Sequence, residues 1–477
     1  MIIPAQAKRS VLDGGARTGP GRGGGGPWAA AIAAVVAFAW NGPALATDWY
    51  VSPRGDDANS GATLGAAFRT LQKAEAVVRP GDVVLIAEGV YEGDPTARGE
   101  GSALLSIRTS GRPDAWITWK ALPGQRPELR PRQWSGIEIR ASYQIIEGLT
   151  LIGGNDEVSL VEALNAAKAT PKEARFNTNG IFVEGRGNAP DAKPHHVIIR
   201  DNVVGKMPGG GILAIEADYI TIEDNQVFEN AWYMEYGGSG ITLLNNWAFG
   251  DAPGYHVVIQ RNRVWNNKTQ VPWERTGRLS DGNGILLDVT DQAAATGATN
   301  PNGDAVLAPA AEPGDRPQRP LWTNRSLIAN NLSAFNGGSG IHTFRTSHVD
   351  IVNNTTYWNG SVVNYEELFA NRSTDIVILN NIIVPRPGGR VTSNNRNTDI
   401  RWDYNLYPIA QDVFSGPHDI VADPRFIAVD RDLRRADFRT REGGPERGSA
   451  TDELAQAQDL GGAPRPIGRR DRGAYEQ

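Results

Sequence analysis

The sequence predicts an all-β fold, a right-handed parallel β-helix built from three-strand coils of about 23 residues. Three columns of residues predict it. In the first, apolar strands at 197–202, 220–225, 257–262, 327–331, 349–354, 376–381 and 400–405 align on a final Asn, with steps of 23, 37, 69, 23, 27 and 24. A basal period with two long steps is a coil repeat carrying insertions. In the second, Asn230, Asn267, Asn336 and Asn359 follow five residues later. Asn side chains stacked at a bend can bond along the stack at strand spacing. In the third, Gly180, Gly211, Gly240, Gly284 and Gly340 are each followed by Ile. Glycine permits a tight corner, and the isoleucines then stack inside.

Taken in order, residues 1–46 read as a signal peptide outside the fold. Arg9, Arg17 and Arg22 precede the apolar run 28–40, and Ala44-Leu45-Ala46 follows as a small-residue cleavage pattern. Thirteen apolar residues are too few to span a bilayer. The expected location is therefore secreted or periplasmic, with no membrane span after cleavage. Loss of four basic residues and one acid changes the net charge from −6 to −9 (44 basic minus 53 acidic). That balance argues against a nucleic-acid partner, and a monomer is expected. The absence of cysteine excludes thiol catalysis and Cys-ligated zinc.

Residues 47–136 are expected to form an N-terminal cap and the first coils. The stretch 48–57 reads as a strand followed by a polar turn, and a helix is expected at 68–78, with Phe68, Leu71, Ala74 or Glu75, and Val78 at helical spacing and Pro80-Gly81 as its stop. Such a helix can cover the exposed edges of a first coil. Residues 137–407 carry the repeats, with inserted loops at 155–178, 231–256, 263–281 and 291–322. Loops on a rigid scaffold are where binding residues gather. Residues 408–477 read as a loop-rich C-terminal cover.

The coil phrases from Gly180 to Asn405, the opening Trp49-Tyr50-Val51-Ser52-Pro53 with Pro80-Gly81-Asp82, and the closing Arg472-Gly473-Ala474-Tyr475-Glu476 resemble secreted pectate-lyase-like parallel β-helix proteins. The opening is most similar to polysaccharide lyase family nine and its relatives. The resemblance covers about residues 48–477 and implies a carbohydrate-active enzyme, a polysaccharide lyase cleaving a uronate-containing glycan by β-elimination. It also implies a Lys or Arg base and Ca2+ bound beside the substrate carboxylate. No contiguous catalytic motif of those lyases matches here, so only the type of chemistry carries over. The same scaffold also hosts glycoside hydrolases, uronan epimerases and non-enzymatic glycan-binding adhesins.

β-Elimination needs a base near an acidic C–H and a cation to offset developing charge. In the glycine register Ile285 and Leu287 point inward, so Leu286 and Asp288 point outward. Other coils hold Glu184, Ile215, Leu244 and Phe344 at the Asp288 position, so the fold does not require a carboxylate there. The outward pair of the next coil is His342 and Phe344. Asp288 and His342 are then expected roughly 8 Å apart, one coil (about 4.8 Å) and two residues (about 6.6 Å) removed. Arg345 is expected beside them to pair with a carboxylate. Asp281 and Asp291 could join Asp288 around Ca2+, or serve as turn residues. Of eight lysines, Lys268 opens the longest insertion and is the candidate lysine base, the alternative being a surface lysine. Trp232, Tyr233, Tyr236, Trp265, Trp273 and Arg278 crowd the same coils as candidate substrate contacts, or as packing for the loops. His196, His256 and His348 fall at one corner position and are expected to be structural.

Overall fold

The computed structural model describes residues 46–94, 96, 101–290 and 319–477. The expected signal peptide, but for its last residue, lies outside them, as do Asp291 and most of the 291–322 insertion. Apart from an antiparallel pair, Phe426–Ala428 with Asp437–Thr440, the described strands wind into three parallel sheets. In chain order around one coil, sheet 1 has nine strands and includes Ile341–Phe344; sheet 2 has eleven and includes Ser347–Val352; sheet 3 has eleven and includes Thr355–Tyr357. This is the expected β-helix. Among the described residues no helix is long and apolar enough to cross a membrane.

The Asn columns are hydrogen-bonded ladders. In the first, Asn225 Nδ2 donates to Asn262 Oδ1 (3.0 Å), Asn262 to Asn331, Asn331 to Asn354, Asn354 to Asn381, and Asn381 to Asn405. Each Oδ1 also accepts the backbone N–H of the Asn below it, and each amide donates a further bond to a strand carbonyl, so the buried amides are satisfied. The second ladder runs Asn230, Asn267, Asn336, Asn359. Both end on a carboxylate: Asp419 accepts Asn405 N–H (2.8 Å), and Glu367 accepts Asn359 N–H (2.9 Å) and its amide.

Ile181, Ile212, Ile241, Ile285 and Ile341 pair in register and are fully buried. The glycines before them differ from expectation in their reason. They do not take left-handed φ; a Cβ at Gly211 would lie 2.5 Å from Gly240 O, and one at Gly284 would lie 2.7 Å from Gly340 O. Close approach of consecutive coils, rather than turn angle, excludes a side chain.

The cap helix is shorter than the spacing predicts, Leu71–Glu75, with Thr70 accepting Lys73 N–H at its N-terminus. Phe68 instead bridges Val51 in extended conformation, although Phe68, Leu71, Ala74 and Val78 are all buried as expected. The C-terminal segment runs back along the outer face of sheet 3. Leu433, Phe438, Leu460 and Ala474 bury Phe228, Trp265 and Phe335. Arg465 holds the segment there, donating to Asn330 Oδ1 (2.8 Å) and Gly473 O (2.7 Å).

Candidate functional site

Side chains on the outer face of sheet 1 alternate with the stacked isoleucines, so coil register sets their neighbours. Leu286 pairs with His342 and His342 with Phe369; Asp288 pairs with Leu244 and Phe344. Asp288 and His342 therefore stand one coil apart and two residues offset on one face. His342 is only 6 % exposed. Its ring lies on Phe369, with centroids 4.1 Å apart and 19° between planes, and meets Tyr365 at 5.7 Å and Phe344 at 6.3 Å. Among the described residues neither ring nitrogen has a hydrogen-bond partner. Burial pushes its pKa down to about 3, so the imidazole is neutral.

Tyr365 completes the group from the turn after sheet 3. Burial, reinforced by the carboxylates of Asp281 and Asp288, pushes its hydroxyl up to about 12. Its oxygen also accepts the Asp281 N–H. Asp281 occupies a left-handed turn (φ 63°) and accepts Ser280 Oγ–H at 2.7 Å; burial raises its carboxyl above the usual range. Asp281, Asp288, His342 and Tyr365 thus share one neighbourhood, drawn from three coils.

With this geometry in place, likeness to known proteins becomes informative. A family profile described as "Pel9A-like, right handed beta helix region" matches residues 49–375. The chain belongs to the Pel9A-like family. Among solved structures it is similar to one titled "Crystal structure of pectate lyase Pel9A", at 16 % identity and TM-score 0.51, covering 90 % of this chain and 96 % of that one. It is also similar to one titled "Rhamnogalacturonan lyase", at 14 % identity and TM-score 0.44, covering 80 % and 91 %. At such identities these likenesses show the fold alone. No curated protein sequence matches.

In this Pel9A-like chain several expected contacts lie elsewhere. Trp265 is 2 % exposed and stacked on Phe228 (4.6 Å, 16°) beneath the C-terminal segment, so it cannot stack on a sugar. Tyr233 is buried with Ala163, Phe176 and Val271, where the loops at 155–178, 231–256 and 263–281 pack together. Trp232 donates its indole N–H to Asn266 O (3.0 Å), and the Lys268 ammonium sits 5.1 Å over its ring. Burial, then Arg431, lowers the Lys268 pKa. The charges acting on Lys268 are Arg431 and Glu229, on the sheet 3 side. Tyr236 faces Trp134 at 6.3 Å. Trp273 and Arg278 pair at the exposed tip of a loop, with Arg275 over the indole.

Arg345 is not distinctive to its coil. Its N–H bonds to Asn371 O and that of Arg372 to Asn395 O, placing Arg345, Arg372 and Arg396 in one left-handed column (φ 53°, 53° and 56°) along the rim of sheet 1. Of the histidines assigned to the corner position, His196 and His256 stack with Tyr143 and Tyr219 (Tyr143–His196 4.8, His196–Tyr219 4.2, Tyr219–His256 3.9 Å), and His348 Nδ1 meets Asp375 at 2.6 Å. His256 Nδ1 meets buried Asp218 at 2.9 Å.

For Ca2+, the described residues bring no three carboxylate or imidazole groups together as a metal-binding set. Asp281 is committed to Ser280, and Asp291 lies outside the described residues. The described residues alone do not make a fit for the ion. Two features escaped the sequence reading. Tyr365 falls in no repeat column, so its sole signal was an aromatic in a turn. Lys193 is buried against Glu216 (2.6 Å) and Trp247 (4.5 Å), between loops whose contact no spacing reveals.

Proposed function

We propose that this Pel9A-like protein is an exported polysaccharide lyase that cleaves a uronate-containing glycan by β-elimination on the outer face of sheet 1. The observation that carries this reading is the His342–Tyr365 pair. Their rings are 5.7 Å apart, and burial drives their pKa values in opposite directions, to about 3 and about 12. Groups so separated supply a base in its basic form and an acid in its acidic form at neutral pH.

In the reaction, the turn carrying Tyr365 first moves to uncover His342, whose ring nitrogens are buried in the substrate-free structure, and a neutral His342 nitrogen then takes the C5 proton of the uronate. The C5–H electrons form the C4=C5 bond, the C4–O bond breaks, and Tyr365 protonates the departing oxygen. An imidazole of such low pKa is a weak base in the empty site, but the arriving carboxylate stabilises the imidazolium as it forms. The Arg345, Arg372 and Arg396 column provides positive charge along the rim, where a chain of net charge −6 must attract an anionic polymer. Membership of a family named for Pel9A supports the same class of chemistry.

The test is a screen of pectate, alginate and glycosaminoglycans for the ultraviolet absorbance of unsaturated uronate products. One acidic polymer is expected to give it. New reducing ends without that absorbance would indicate hydrolysis and contradict the proposal.

A further inference from the structure

A cleft of about 600 Å3 opens at the C-terminal end of sheet 3, between the turns after Thr355–Tyr357 and Ile382–Val384 and the C-terminal segment. Trp358 lines it at 36 % exposure and stacks on Tyr357, with centroids 5.1 Å apart and 14° between planes. It occupies a left-handed corner (φ 52°) where other coils place Lys206, Glu229, Asn266 and Phe335. A large aromatic there is strained without gaining full burial. Proline walls (Pro385, Pro387, Pro408, Pro424) stiffen the sides.

Three guanidinium groups line the same cleft. Arg386 donates to Gly360 O and to Asn364, and Arg425 to Gly443 O. The Arg441 side chain has no hydrogen-bond or ion-pair partner among the described residues. Among the described residues none of the three forms an ion pair, although Arg386 is close enough to act on the buried Glu367 carboxyl. Asp423, the one acid in the lining, accepts the Arg425 backbone N–H (2.9 Å). Three cations against one anion leave an excess of two positive charges, in a chain whose net charge is −6.

We infer that this cleft is a second glycan-binding site, which holds an acidic polysaccharide with a sugar ring on Trp358 and its carboxylate on Arg441 and Arg425. A flat aromatic face suits the C–H face of a sugar, and guanidinium matches carboxylate in two parallel bonds. The volume is that of a small-ligand site, enough for a short stretch of chain. Holding a long polymer here raises its effective concentration at the His342 face. The inference rests on the proposed acidic-glycan substrate.

Affinity electrophoresis through polygalacturonate, alginate or neutral dextran tests it, using the full chain and the variants Trp358→Ala and Arg441→Gln. Both residues are solvent-accessible, and thermal melting verifies folding. Retardation of wild type by a uronate polymer but not dextran is expected, with binding at least about ten-fold weaker in each variant. In kinetics, KM on polymer should rise while kcat is kept. Unchanged binding by both variants, equal retardation by dextran, or retardation by neither uronate polymer overturns the inference. Trp358-dependent binding without any cleavage upholds the cleft and counts against the lyase reading. Cleavage with unchanged KM in both variants does the reverse.

Discussion

His342 lies flat against Phe369, ring centroids 4.1 Å apart, with neither imidazole nitrogen hydrogen-bonded to any described residue. A buried polar group without partners costs about 1–3 kcal/mol. His342→Phe should therefore stabilise the fold by an amount of that order while abolishing activity, as expected of a residue kept for chemistry. The folded pKa of about 3 lies below the unfolded value, so between about pH 6.5 and 3 the unfolded chain binds more protons and stability falls with falling pH. Urea denaturation at pH 7 and pH 4.5 should show a larger gain for His342→Phe at the lower pH. A loss of stability at both would mark His342 as structural.

Glu367 closes the second Asn ladder, and burial raises its pKa to about 8. Here the folded state holds the proton longer, so stability is full below the unfolded pKa near 4.5 and is lost as pH rises through about 8. Denaturation of wild type against Glu367→Gln at pH 5 and pH 9 should shift by at most about 4 kcal/mol, to the disadvantage of wild type at pH 9. A pH-independent difference would contradict the assignment.

Asn331 sits mid-ladder, its Oδ1 accepting both Asn262 N–H and Nδ2–H, and its amide donating to Ile259 O. Asn331→Ala orphans several buried groups at once. Destabilisation of about 3–5 kcal/mol is expected in chemical denaturation, far more than for an exposed Asn such as Asn394.

Lys193 and Glu216 form a buried pair, with side chains 5 % and 9 % exposed. Lys193→Met alone should cost about 3–5 kcal/mol by stranding the carboxylate, and Lys193→Met with Glu216→Leu should recover most of it. Additive losses in the double-mutant cycle would show that the two do not act as a pair.

The fold was legible because its determinants are periodic. Asn at a bend, Gly before Ile and an alternating strand each recur with one physical purpose, and a recurring purpose leaves a spacing. The sheet 1 face was partly legible for the same reason, since strand alternation placed Asp288 and His342 outward on adjacent coils. What alternation does not carry is depth. His342 points away from the core yet is buried by Tyr365 and Phe369, and Trp265 points outward yet is covered by the C-terminal segment. The column that Arg345 shares with Arg372 and Arg396 is visible only through strand pairing, because alignment on Asn leaves the sheet 1 corner out of register.

The central claim, that His342 and Tyr365 act as base and acid in β-elimination, is tested most directly by the unsaturated-uronate absorbance released by wild type, His342→Phe and Tyr365→Phe. Product from wild type on an acidic polymer is expected, with a drop of about 10²–10⁴ in kcat/KM for each variant and folding intact. Wild-type rates of product formation in both variants would contradict it.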